Sequence, residues 1–241
     1  MQIARAFHHA HNYDRHATVQ NIVAGELAER ILALSLPRDA QVLEIGCGTG
    51  FLGTGLVGRM PYRHYWMTDV APGMVARARR RFAGLEGIDF AEMDGSDPTI
   101  EGPFDLICSS LAMQWFPDLG AAVTRLRGLL TPRGKLVFTT LAAGSFAQWR
   151  AAYGDDTPGT PDYPSADWLR ALGLDVTVET IDHRYRSARD FLAALKAIGA
   201  GTPRAGYQPL PPSLLRRIMG RFDAGERDVR YAIATCIMGA A

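Results

Sequence analysis

Apolar positions near the start of the chain recur with a helical period, and beyond it they collect into short strand-like runs. Val19, Ile22, Val23, Leu27, Ile31 and Leu34 stand at or near three- and four-residue intervals, so residues 1–35 are predicted to be largely helical, with Pro37 closing the segment. Strands are then predicted at 41–45, 64–69, 88–92, 104–109 and 134–140, separated by helices near 51–60, 73–83 and 119–130. Glu101-Gly102-Pro103 and Pro132-Arg133-Gly134 punctuate the pattern as turns. Alternation of this kind predicts an α/β fold, doubly wound, with a mostly parallel sheet and helices on both faces.

The texture changes after Leu141. Short helices are predicted at 147–153 and 165–172, the second capped by Ser165 and ended by Gly173. A loop rich in proline and glycine separates them. Residues 176–185 alternate as a strand, with Val176, Val178 and Thr180 on one face. Helices follow at 189–198 and 213–222, and a last strand at 229–238. The last two strands are expected to pair antiparallel at the sheet edge. The predicted organisation is therefore an N-terminal helical lid over 1–36, a core over 37–186, a helical lid insertion over 187–225, and a final edge strand of the core over 226–241.

The chemistry concentrates at Val42-Leu43-Glu44-Ile45-Gly46-Cys47-Gly48-Thr49-Gly50, a strand that runs into a glycine-rich turn. Glycines there remove the Cβ atoms that would keep a ligand off the backbone. A second strand ends in Asp69, 19 residues after Gly50, where a doubly wound sheet sets a carboxylate against a ribose diol. The glycines follow E-x-G-x-G-x-G, whereas a dinucleotide site follows G-x-G-x-x-G and would place its pyrophosphate on the turn. Glu44 would repel a pyrophosphate and suits a cation, such as the amino group of S-adenosylmethionine. This pattern resembles the first motif of class I S-adenosylmethionine-dependent methyltransferases, and the resemblance implies a seven-stranded Rossmann-like sheet with an antiparallel edge hairpin.

Within that class the likeness is specific. Phe7, Tyr13-Asp14, His16-Ala17 and Gln20 near the start are similar to the malonyl-acyl carrier protein O-methyltransferases of biotin synthesis. So are Ser110-Leu111-Ala112-Met113-Gln114-Trp115, Thr139-Thr140-Leu141 with Gly144-Ser145, and Leu195-Lys196-Ala197-Ile198-Gly199-Ala200. The segment after Gly199 departs from the family's basic, glycine-containing pattern, which bears on carrier docking. The resemblance implies methyl transfer to the free carboxylate of malonyl-acyl carrier protein. It implies a cofactor site made of Glu44, Gly46, Cys47, Gly48, Gly50, Asp69, Val70, Asp94, Gly95, Ser109, Tyr13 and Gln20. Asp94 would accept from the adenine amino group, and Tyr13, Gln114 and Trp115 would wall the reacting groups. Two other readings share much of the pattern: a methyltransferase acting on a free polycarboxylic acid, and a cofactor-binding assembly or maturation factor.

A malonyl carboxylate arrives ionised, so no general base is needed, and the site's demand is for a cation that can hold the carboxylate. Arg15, Arg150 and Arg184 are candidates, and chain order favours Arg150, on the short helix after the fifth strand. An acidic carrier protein calls for a basic dock. Arg216, Arg217 and Arg221, with Arg184, Arg186 and Arg189, form one such group; the run Arg77, Arg79, Arg80 and Arg81 reads as the solvated face of a helix.

Composition narrows the classes. Apolar residues make up 47% and charged residues 21%, as in an ordinary globular domain, and the formal net charge of +1 argues for neither nucleic acid nor membrane as partner. Cys47, Cys108 and Cys236 are too widely spaced for a metal knuckle and are expected to be reduced and buried. His8, His9, His11 and His16 lack neighbouring metal-ligand partners, so no metal is expected. Arg5 and the histidines interrupt the N-terminus before an apolar stretch can form, and no apolar run is long enough to span a bilayer. A cytoplasmic protein is the expectation.

Overall fold

The computed structural model describes residues 14, 17–198, 204 and 206–239. A seven-stranded sheet runs through it in the order β3-β2-β1-β4-β5-β7-β6. The strands are β1 (Gln41–Ile45), β2 (His64–Asp69), β3 (Ile88–Glu92), β4 (Phe104–Ser110), β5 (Leu130–Leu141), β6 (Asp175–Arg184) and β7 (Asp228–Gly239). β7 alone runs antiparallel, against both β5 and β6.

Alternate residues of the central strands feed two cores. Leu43, Ile45, Ile107, Leu136 and Phe138 pack on one face of the sheet; Val42, Leu106, Cys108 and Val137 pack on the other. Burial on both faces is why these strands read as continuous apolar runs. α1 (Thr18–Leu32), α2 (Phe51–Leu56) and α3 (Pro72–Arg81) attend the second face, and α4 (Leu119–Arg127) and α6 (Ala166–Ala171) the first. α5 (Ala147–Ala151), α7 (Ala188–Ala197) and α8 (Pro212–Ala224) join α1 and β7 in a third core rich in aromatic rings. There Trp149 meets Phe191 and Phe222 edge-on, with ring centroids 5.4 and 5.5 Å apart. Among the described residues no helix is long and apolar enough to cross a membrane.

Several expectations need correction. The final strand is not at the edge: β7 lies between β5 and β6, and β6 is the outer strand. Their burial explains it, since Tyr231 to Cys236 are buried without a break while most of β6 is exposed. Val178 on β6 is among the exposed apolar residues, as is Ile22 on α1. α2 stops at Leu56 because Val57 is extended and Gly58 takes a positive φ of 80°. Pro132-Arg133-Gly134 is not a turn; it lies within β5, where a Cβ on Gly134 would come within 2.6 Å of the Phe104 carbonyl oxygen. That backbone contact is why a glycine stands there.

Candidate active site

β1 and β4 are neighbours with their onward connections running to opposite sides, so a crevice opens at their carboxyl ends. The glycine turn after β1 lines it, and its glycines do different work. Gly46 and Gly50 have positive φ and are packed tightly: a Cβ at Gly46 would lie 2.2 Å from Ala112 Cβ, and one at Gly50 would lie 2.5 Å from the Phe82 ring. Gly48 has φ +56° and nothing within 4 Å of its missing Cβ, so it is the position open to a ligand. Gly53, which sequence analysis passed over, completes a G-x-G-x-x-G with Gly48 and Gly50. It sits inside α2, where a Cβ would meet Met67 Cε at 2.5 Å. Glycine spacing alone therefore does not separate this turn from a dinucleotide turn, and the discrimination rests on Glu44.

Glu44 is buried beneath the turn and accepts a 2.8 Å hydrogen bond from the Tyr65 hydroxyl. Burial pushes its carboxyl up to about 8, against the Tyr65 bond, with nearby Asp69 adding to the rise. Asp69 at the end of β2 accepts from Gly48 N–H at 2.9 Å and Ala71 N–H at 2.8 Å, while burial lifts its carboxyl to about 6. It braces the turn, and a carboxylate has lone pairs left for two further donors. A small cavity of about 30 Å³ lies against Gln20, Glu44, Gly46, Cys47, Gly48 and Ser110. That is about the room taken by one water or one ammonium group. The Cys47 thiol is held well above its usual range by burial, so it is a wall and not a nucleophile.

Asp94 follows β3 and is exposed; its Oδ1 accepts from the N–H and the hydroxyl of Ser96, the geometry of an Asx turn. Gly95 is a packing residue, since a Cβ there would lie 2.1 Å from Ile45 Cγ2. Val70 is half-buried beside Asp69. Ser109, expected at the cofactor, is fully buried and its Oγ has no hydrogen-bond partner among the described residues. The next residue, Ser110, lines the small cavity instead.

Tyr13, Arg15 and the four N-terminal histidines lie outside the described residues. Asp14 is described, and sequence analysis gave it no role. Its Oδ1 accepts from the Thr49 hydroxyl at 2.6 Å and its Oδ2 from Arg81 at 2.6 Å, so one carboxylate fastens the N-terminal segment to both the glycine turn and α3. The Tyr13-Asp14 and Thr49 positions were visible in sequence; the contact between them was not.

A second cavity of about 470 Å³ adjoins the first in the aromatic core, under α7 and α8. Gln20 lines both. Leu111, Gln114, Trp115, Phe146, Trp149, Tyr163 and Tyr231 contribute to its wall. Leu111 and Phe146 are non-glycine residues with φ of +50° and +61°, a conformation that costs energy and is common at binding sites. Gln114 donates from Nε2 to the Leu111 carbonyl at 2.8 Å, and its buried Oε1 has no partner among the described residues. That free end accepts, so it suits an N–H or O–H and repels a carboxylate. A shallower groove of about 530 Å³ continues beyond Gln114 and Tyr163 toward exposed Trp168.

Arg150 is not at the cavity wall. Its guanidinium donates to Thr160 Oγ1 at 2.9 Å, the Pro161 carbonyl at 3.2 Å and Asp162 at 2.6 Å, bracing the loop over the cavity. Arg184 pairs loosely with Asp228 at 3.9 Å. On α8, Arg221 donates to the Ala152 and Tyr153 carbonyls, whereas Arg216 and Arg217 are exposed.

Comparison with known proteins places these features in context. Residues 43–136 match a methyltransferase domain family. The chain is 42% identical over 231 residues to the biotin biosynthesis bifunctional protein BioCD of Bordetella avium, covering 93% of this chain and 49% of that protein, so it spans about half the length of that relative. It is 39% identical over 234 residues to the malonyl-acyl carrier protein O-methyltransferase of Magnetococcus marinus, covering 93% of this chain and 86% of that one. The crystal structure of the YcgJ protein of Bacillus subtilis superposes with a TM-score of 0.62 at 14% identity, over 89% of this chain and 97% of that one, a likeness of fold.

Proposed function

The chain belongs to the malonyl-acyl carrier protein O-methyltransferase family, and from that premise we propose that it methylates the free carboxylate of malonyl-acyl carrier protein, with S-adenosylmethionine as donor. The observation that carries this reading is the pair of cavities that share Gln20, a small one at the glycine turn against the buried Glu44 carboxyl and a larger, mostly apolar one beside it.

The residues fit the cofactor. Glu44 lies under a space sized for an ammonium group, Asp69 keeps lone pairs for the ribose hydroxyls, and the Oδ2 of Asp94 is available to the adenine amino group. S-adenosylmethionine supplies a methyl group already activated on a sulfonium. The carboxylate oxygen forms the new O–C bond with its own electron pair as the C–S bond breaks, and no proton moves. A cation and an anion become two neutral products, so charge disappears along the reaction coordinate. Water stabilises the charged reactants more than such a transition state, and a mostly apolar cavity that excludes water therefore favours the transfer. The walls need only hold the oxygen in line and keep water out.

The segment 1–36 and the insertion 187–225 serve as the lid. Asp14 latches the first to the turn, and Tyr13 adjoins that latch in sequence. Arg216 and Arg217 offer an acidic carrier protein two exposed cations near the cavity's helical roof. Intact-mass measurement of malonyl-acyl carrier protein, incubated with the enzyme and S-adenosylmethionine, should show the gain of one methyl group, lost in Asp69→Ala. An unchanged carrier mass would overturn the proposal.

A further inference from the structure

The reading above leaves open what holds the substrate carboxylate, because the arginine favoured by chain order is committed elsewhere. We propose that Lys196 is the cation that receives it, an inference that rests on the proposed function. Among the described residues that line the 470 Å³ cavity there is no aspartate or glutamate, and Lys196 is the one lysine or arginine. It stands in the last turn of α7, next to Leu195 and Ile198, which also face the cavity. Its side chain is exposed, so it sits where the apolar lining meets solvent, and no carboxylate among the described residues pairs with it.

A carboxylate that enters an apolar cavity gives up its hydration, and among the described residues nothing else along this wall returns a positive charge. The neighbouring polar groups sharpen the point. The Tyr231 hydroxyl is shared with Tyr185 at 2.7 Å, and the unpartnered Oε1 of Gln114 is a buried acceptor, which a carboxylate cannot use. Lysine also suits the chemistry. Its compact ammonium on a flexible stem can follow the carboxylate inward as a point charge, and the carboxylate keeps lone pairs free for attack.

The phosphate of a phosphopantetheine arm is a second anion that Lys196 could meet, and the probes separate the two. Malonyl-pantetheine carries the carboxylate and no phosphate; its methyl ester carries neither charge. Calorimetric titration of each into the protein loaded with S-adenosylhomocysteine reads the contact without turnover. Lys196→Met should weaken malonyl-pantetheine about ten- to a hundredfold and its methyl ester less than about threefold, with Lys196→Arg retaining most of the binding. S-adenosylhomocysteine affinity should not move. Equal effects on both probes, or none on either, would overturn the proposal. So would a loss confined to malonyl-phosphopantetheine, which would assign Lys196 to the phosphate. Wild-type turnover of malonyl-acyl carrier protein, followed by intact mass, is scored separately. Its failure would remove the proposed function, while the binding ratio would still report whether Lys196 holds a carboxylate.

Discussion

Cofactor binding should expel a proton from Glu44 at neutral pH. In the ligand-free protein the carboxyl is buried under the glycine turn and lifted to about 8. At pH 7 it is one unit below its midpoint, so about nine molecules in ten carry the proton, and ionising the group costs about 1.4 kcal/mol. An ammonium placed against it reverses the balance, because an opposite charge at contact favours the ionised form. Asp69, lifted only to about 6, is already mostly ionised at pH 7 and contributes little to the count. Titration of S-adenosylhomocysteine by calorimetry, in buffers of different ionisation enthalpy, gives the number of protons released. The expected value is close to one at pH 7 and about one half at pH 8, with apparent affinity rising about tenfold from pH 6 to pH 7. Glu44→Gln should bind more weakly and release none. The ligand-free stability carries the same signature. The folded protein holds a proton that the unfolded chain loses from about pH 4.5, so stability falls as pH rises from there toward 8, and the fall should be shallower in Glu44→Gln. Tight binding at pH 7 with no dependence on buffer would refute the reasoning, and would mean that the ammonium is held elsewhere.

Three further outcomes follow from the same geometry. Gly48→Ala places a Cβ in open space at φ +56°, so the melting temperature should drop by the equivalent of about 1–2 kcal/mol while calorimetry shows cofactor affinity largely lost. Gly46→Ala, which collides with Ala112, should instead damage folding itself. Asp14→Ala removes the acceptor for Thr49 and Arg81, and should weaken S-adenosylhomocysteine binding about five- to twentyfold by calorimetry, with the circular dichroism spectrum unchanged. Charge reversal at Arg216 and Arg217 should raise KM for malonyl-acyl carrier protein and leave turnover of malonyl-pantetheine as it was; equal effects on both would place the dock on another face.

The central strands were legible because burial on both faces leaves an unbroken apolar signature. Tyr231 to Cys236 are buried without a break in the fold, but Thr235 interrupts their apolar run in sequence, and β7 was expected at the edge. Helix ends were less legible. Nothing in the period of apolar residues announces that α2 stops at Leu56, or that β5 begins at Leu130 and continues through a proline and a glycine. At the site, the glycine turn and Asp69 could be read because the fold fixes their spacing along the chain. Arg150 misled because nearness in chain order does not say which way a guanidinium turns, and here the 160–162 loop claims it. Asp14 and Thr49 lie 35 residues apart, and only the folded chain shows that they touch. Ser109 and Ser110 differ by one position on a strand, which is enough to send one side chain into the core and leave the other at the crevice.

Gln20 lines both cavities, and that shared side chain makes them neighbours for chemical synthesis as well as for catalysis. A molecule that carries an amino-acid ammonium at one end and a carboxylate at the other, joined by a short tether that passes Gln20, would turn its second contact into an intramolecular event. With a short, well-matched tether the local concentration of the second group is on the order of millimolar or more, and two weak fragments combine into one tight ligand with no new contact. The length of tether that binds best would then measure the span from one cavity to the other.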